Sequence, residues 1–153
     1  MTHLLDVNAL LAFHYAKHAH HERFSRWLEI REQTEGNRLL LATCAITELG
    51  FVRVATGPAR LAPLIESACK DLTLLKRDHR FVFLGDPLSA ERLPGWVVKS
   101  KQTTDGHLLQ LASAYGATLA TLDTGIPGAL LIPDLPDDSN RVSEPQLAYG
   151  AAA

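Results

Sequence analysis

His3-Leu4-Leu5-Asp6-Val7-Asn8 opens the chain with a short apolar run that ends on a carboxylate. A run of about 4–8 apolar residues bounded by polar ones suits a buried strand. Asn8 is placed to cap a helix through Ala9-Leu10-Leu11-Ala12-Phe13. An acid just past a buried strand is aimed at the rim of a sheet, and in open α/β sheets that rim is where ligands bind. Three further acids stand in comparable junctions: Glu48, Asp105 and Asp123.

Beyond this opening the same alternation of short apolar runs and longer amphipathic stretches repeats. Leu4 to Val7 reads as a strand, and His21 to Gln33 as a helix with Phe24, Trp27, Leu28 and Ile30 at helical spacing, broken by Gly36-Asn37. Leu39 to Ala42 is a second buried strand. Thr43 is expected to cap a helix that carries Glu48 and runs to Val54, where Gly57-Pro58 ends it. Leu61 to Leu75 reads as an amphipathic helix with Leu64, Ile65, Ala68, Leu72 and Leu75 as its stripe. Phe81 to Leu84 is extended, and residues 88–102 are irregular. Thr104 is expected to cap a helix that Gly116 closes, followed by strands at 118–122 and 129–132. Strands interleaved with helices predict an α/β fold, a sandwich around a mostly parallel sheet. One domain over residues 1–133 is expected, with a mobile tail at 134–153 rich in Pro, Asp, Ser and Ala.

The 153 residues fit a single domain with a self-sufficient core. A hydrophobic content of 46% and a charged content of 21% are those of an ordinary globular protein and exclude a disordered chain. No apolar run approaches the ~20 residues that span a membrane, so no membrane association is expected. The N-terminus lacks the basic start and long apolar stretch of a secretory signal. Cys44 and Cys69 make no disulfide framework and read as reduced core residues of a cytoplasmic protein. The formal net charge of −2 does not mark a nucleic-acid binder. With four carboxylates set aside in a metal site, however, the remaining surface is net positive and can steer a polyanion.

In a parallel α/β fold, strand C-termini and the helix N-termini that follow them meet at one edge. Asp6 and Asp123 follow apolar strands, Glu48 lies in the first turns of a helix after a strand, and Asp105 follows Thr104. All four can converge there. Each also has a bland role open to it as a cap or dipole partner, although the Ile46, Leu49 and Phe51 around Glu48 make a free charge costly. Four like charges in one place repel unless a cation compensates them. Carboxylate oxygens suit Mg²⁺ or Mn²⁺, and without a Cys/His cluster zinc is less apt. Such an ion lowers the pKa of bound water and polarises a phosphoryl oxygen, so hydrolysis of a phosphodiester is the chemistry suggested.

These residues carry a resemblance. Leu4-Leu5-Asp6-Val7-Asn8-Ala9-Leu10-Leu11-Ala12 resembles the opening of PIN-domain ribonucleases, specifically the VapC-type toxins of toxin–antitoxin pairs. Thr47-Glu48-Leu49-Gly50-Phe51-Val52-Arg53 is similar to their second motif, and Gln102-Thr103-Thr104-Asp105-Gly106-His107-Leu108-Leu109-Gln110-Leu111-Ala112 to the third. Leu119-Ala120-Thr121-Leu122-Asp123-Thr124-Gly125 resembles the fourth. All four occur in order between residue 4 and about residue 132. The resemblance implies a PIN-like α/β/α sandwich and a Mg²⁺- or Mn²⁺-dependent endoribonuclease with Asp6, Glu48, Asp105 and Asp123 as its metal-binding acids. Asn8 and Thr104 would support them by hydrogen bonds, and Thr121 would lie near the fourth acid. It implies RNA substrates such as tRNA or ribosomal RNA, a small antitoxin partner and a toxin homodimer. Two positions depart from the family pattern. Gly106 stands where Ala is more usual, which loosens the helix start by up to ~1 kcal/mol, and Gly125 leaves no fifth acid after Asp123.

Other residues offer less. His14, His18, His20 and His21 crowd one region without the spacing of a zinc protease, and read as surface, RNA-facing or structural positions. Arg53 suits either an acid or a phosphate. Lys70, Lys76, Arg77, Arg80, Lys99 and Lys101 form basic groups that suit a solvated face or a phosphate-tracking surface. Trp27 is expected in the core, while Trp96 suits the core or a base-stacking platform. A different Mg²⁺ phosphohydrolase is a competing reading, but a haloacid-dehalogenase-like site would need an acid where Asn8 stands. A non-catalytic PIN-like module that binds RNA or protein is another, and it would be favoured by the loss of an acid.

Overall fold

The computed structural model describes residues 1–136 of the chain. Five strands, β1 (Thr2–Leu5), β2 (Leu40–Cys44), β3 (Phe81–Leu84), β4 (Thr118–Thr121) and β5 (Leu130–Leu131), form one sheet in the order β3-β2-β1-β4-β5. Every neighbouring pair is parallel. Five α-helices accompany them: α1 (Val7–His14), α2 (His21–Glu35), α3 (Ala45–Ala55), α4 (Ile65–Leu75) and α5 (Thr103–Ala114).

The strands alternate between two cores, as a period of two requires when both faces are covered. Leu5, Leu41 and Ala120 face a larger cluster with Leu10, Leu11, Phe24, Trp27 and Phe51 from α1, α2 and α3. Leu4, Ala42, Cys44, Leu84 and Leu119 face the other way, onto Leu108, Leu111 and Ala112 of α5. The result is the expected three-layer α/β/α sandwich. Trp27 lies in the core, and Trp96 is partly buried against the α5-side cluster.

Several local expectations are corrected. Asp6, not Asn8, caps α1: its carboxylate accepts the Ala9 amide at 2.8 Å, and Asn8 is exposed in the first turn. Cys44 occupies the cap position of α3, so Thr43 stays in β2 with its hydroxyl free for another partner. A 3₁₀ turn at Ser100–Gln102 leads directly into α5, which leaves Thr104 exposed within the first helical turn rather than at the cap. Helix α4 begins at Ile65 rather than Leu61, because Pro63 disfavours helical geometry in the residue before it. Leu64 and Ile65 of the expected apolar stripe are therefore exposed, while Ala68 and Leu75 are buried. Cys44 is buried as expected, but Cys69 is exposed on α4.

The histidines have structural work. His21 hydrogen-bonds the Ala12 carbonyl at 2.7 Å, tying α2 to α1, and His14 faces Asp71 at 3.6 Å. At the end of the described chain Arg23 of α2 reaches the Pro133 carbonyl at 3.2 Å and pairs with Asp134 at 3.1 Å. The rest of the expected tail, from residue 137 on, lies outside the described residues. Among the described residues, no helix is long and apolar enough to cross a membrane.

Candidate active site

The chain leaves β1 to build β2 and β3 on one side, then crosses back to place β4 and β5 on the other. The strand order therefore reverses beside β1, which puts the switch point, the place where open α/β sheets bind ligands, between the C-terminal ends of β1 and β4. Asp6 follows β1 directly, and its amide donates to the Ala120 carbonyl of β4 at 3.1 Å. That ladder bond brings Asp6 alongside Thr121, the last residue of β4.

Thr121 is buried, and its hydroxyl bonds to both Asp6 and Asp123. It donates to the second carboxylate oxygen of Asp6 and accepts the backbone amide of Asp123 at 2.9 Å. Asp123 is exposed and accepts the Gly125 amide at 2.9 Å in a tight turn. Gly125, the position without a fifth acid, thus supplies a backbone donor to the fourth.

Asp6 is only 7% exposed. Burial pushes its carboxyl up to about 6; the Thr121 hydroxyl and the Ala9 amide oppose this, while the charges of Asp105 and Asp123 add to it. Asp105, half-buried at the start of α5, is also raised, first by burial and then by Asp123. The three aspartates therefore share one electrostatic environment. Among the described residues, however, no group of three or more His, Cys, Asp or Glu side chains is close enough together to hold a metal ion. The carboxylates are oxygen donors with no Cys or His among them. Their mutual repulsion is what a hard divalent cation would relieve.

Glu48 has partners of its own. It occupies the first turns of α3, where its Oε1 accepts the Thr43 hydroxyl at 2.7 Å and pairs with Lys76 Nζ at 2.6 Å. Helix α3 lies close to the start of α1: a Cβ on Gly50 would come within 2.3 Å of a Val7 methyl. That approach packs α3, which carries Glu48, against the helix that Asp6 caps. Arg53 is exposed in the last turn of α3 and makes no ion pair among the described residues.

Gly106 has a reason for being glycine. The Pro94–Val97 turn lies on α5 so tightly that a Cβ there would sit 2.4 Å from a Val97 methyl and 3.2 Å from Pro94 Cδ. Close packing, rather than a loosened helix, accounts for the residue. Two contacts escaped sequence reasoning: His107 Nε2 lies 2.5 Å from Asp86 Oδ2, and the Tyr115 hydroxyl donates to the Gly85 carbonyl at 2.6 Å. Together they pin α5, and with it Asp105, to the segment after β3. A histidine on an otherwise apolar helix face was the available signal, but its partner is remote in sequence.

A PIN-domain family model matches residues 3–128. The ribonuclease VapC38 of Mycobacterium tuberculosis is 40% identical over 127 residues, covering 80% of this chain and 86% of the relative. Ribonuclease VapC44 of the same species is 37% identical over 141 residues, covering 84% and 94%. In solved structures the fold is shared with VapBC2 of Rickettsia felis bound to a DNA fragment from its promoter. There the TM-score is 0.56 at 15% identity, covering 86% of this chain and 97% of that one. The chain belongs to the PIN-domain family of nucleases, in its VapC-type branch.

Proposed function

We propose that this chain is a divalent-metal-dependent endoribonuclease, the toxin of a toxin–antitoxin pair, which acts in the cytoplasm on structured RNA such as tRNA or rRNA and so stops translation. The observation that carries the reading is the buried Asp6 at the switch point of the sheet, whose ionisation the charges of Asp105 and Asp123 oppose, as Asp123 opposes that of Asp105. Mg²⁺, or Mn²⁺ in its place, suits this oxygen-only donor set, with Glu48 as a fourth acid beside it. When bound, the ion supplies compensating charge and a water acidic enough to attack a phosphodiester near neutral pH.

The remaining contributions come from the chain itself. The Ala9 amide and the Thr121 hydroxyl fix both oxygens of Asp6, so its lone pairs are oriented before substrate arrives. Through the Asp123 amide, Thr121 also fixes the turn that carries Asp123. Asn8 and Thr104, both exposed at the rim, offer hydrogen bonds to RNA or to water beside the acids. Exposed Arg53 offers a charge for the RNA backbone. The partner is a small antitoxin that covers this rim, a reading supported by the VapBC2 assembly of the Rickettsia relative; a toxin homodimer is the expected assembly.

The test is to sequence RNA ends after induced expression of the wild type and of Asp6→Asn. Discrete new ends and growth arrest are expected for the wild type only, and purified wild type should lose cleavage in excess EDTA. Equal cleavage by the folded variant, or full activity in EDTA, refutes the reading and favours a binding module or metal-free chemistry.

A further inference from the structure

Lys76 caps the C-terminal end of α4. Its Nζ lies 2.6 Å from the same Glu48 oxygen that accepts the Thr43 hydroxyl, and 5.0 Å from the centroid of the Phe83 ring. Among the described residues, no other cationic group pairs with any of the four rim acids. The pair is reachable from solvent, with side-chain exposures of 33% for Lys76 and 17% for Glu48. Neither side chain is sealed from solvent, so the pair can exchange partners without unfolding the chain.

An RNA backbone approaching this edge meets four carboxylates and is repelled by all of them. A mobile cation already at the rim answers that repulsion. Lysine carries its charge as a compact point on a flexible stem, so it can exchange a carboxylate for a phosphate without moving the backbone. The Phe83 ring, 53% exposed, gives that stem and charge a surface to pivot over.

We propose that Lys76 is a substrate-binding residue of this site. In the free protein it is parked on Glu48; it passes to an RNA phosphate when the backbone arrives, which frees Glu48 for the cation. The inference rests on the ribonuclease reading above and adds a residue that the acidic motifs do not contain.

Two measurements test it with the full chain. The first is the anisotropy of a fluorescein-labelled single-stranded RNA oligonucleotide of mixed sequence, in EDTA, across a salt series. Lys76→Met should raise Kd by roughly five- to tenfold and make the slope of log K against log salt shallower by about 0.7. Lys76→Arg should stay near wild type. The second is calorimetric titration with Mn²⁺ alone. Lys76→Met should bind Mn²⁺ more tightly than wild type, and in a Glu48→Gln background the Lys76 substitution should make no difference.

Unchanged RNA affinity and salt slope would overturn the phosphate contact, and unchanged or weaker Mn²⁺ binding would overturn the parking on Glu48. Thermal melts confirm that each variant is folded. If the wild type neither cleaves RNA nor binds Mn²⁺, the ribonuclease reading falls and the role of Lys76 with it. If the wild type does both and Lys76→Met matches it, only the Lys76 inference falls.

Discussion

Asp6→Asn should stabilise the metal-free protein while abolishing its activity. Asp6 is almost fully buried, and its carboxyl titrates at about 6 instead of 3.8. The folded chain therefore holds this proton more tightly than the unfolded chain does. Asp6 costs nothing below 3.8; stability then falls as pH rises from 3.8 to about 6, and the full cost persists above that. At 1.36 kcal/mol per pH unit, the charged side chain costs about 3 kcal/mol at pH 7.5. Asparagine keeps the shape and the acceptor for the Ala9 amide, but it no longer accepts from Thr121, a loss of about 1 kcal/mol. The net gain is about 2 kcal/mol, or roughly 4–8 °C in Tm for a chain of this size. Thermal melts in EDTA at pH 7.5 and pH 4.5 measure it, with the gain at pH 7.5 shrinking or reversing at pH 4.5. Mg²⁺ should then stabilise the wild type, by about 1.4 kcal/mol at a tenfold excess over Kd, and leave the variant unmoved. A variant less stable than wild type at both pH values in EDTA would refute the electrostatic account of the site.

Three other substitutions probe the scaffold. Thr121→Val keeps the volume but removes the hydroxyl shared by Asp6 and Asp123; a hydrogen bond to a charged group is worth about 1.5–3 kcal/mol, so the Asp6 carboxyl should rise further above 6, seen as a shift of the pH–rate profile to higher pH. Gly106→Ala should destabilise by about 1–2 kcal/mol in urea unfolding despite alanine's better helix propensity, because its methyl would meet Val97 at 2.4 Å; a stabilised variant would show that the Pro94–Val97 turn yields freely. Gly50→Ala should cost about 1–3 kcal/mol by overpacking against Val7, and it should lower kcat by displacing α3 from α1; unchanged stability and kcat would mean that the α1–α3 contact yields freely and does not position α3 for activity.

Much of the architecture follows from short-range pattern. The apolar run before Asp6, the 3.6-residue spacing in α2 and the positive φ of Gly116 are each legible within one turn or one strand. The alternation of strand and helix then implies a parallel sheet, and a parallel sheet implies that acids after its strands share an edge. Capping was less legible. Asp6, Asn8, Thr43 and Thr104 are all competent caps by residue type, and the position where the preceding strand, or before α5 the 3₁₀ turn, ends chose among them. Leu64 and Ile65 fit a helical stripe, but Pro63 moved the helix start and left them in solvent.

The chemical types at the rim, four carboxylates with no soft ligand, are written in the chain, because ligand hardness belongs to the residue itself. Their environments are not, because burial and pairing depend on neighbours far away in sequence. Thr121 reaches Asp6 across 115 residues of chain, and that contact exists only because β4 lies beside β1. Folding likewise set Lys76 against Glu48, remote from it in sequence. Residue type states what each group can bind; only the packed sheet edge makes one acid buried and proton-hungry and leaves another already paired.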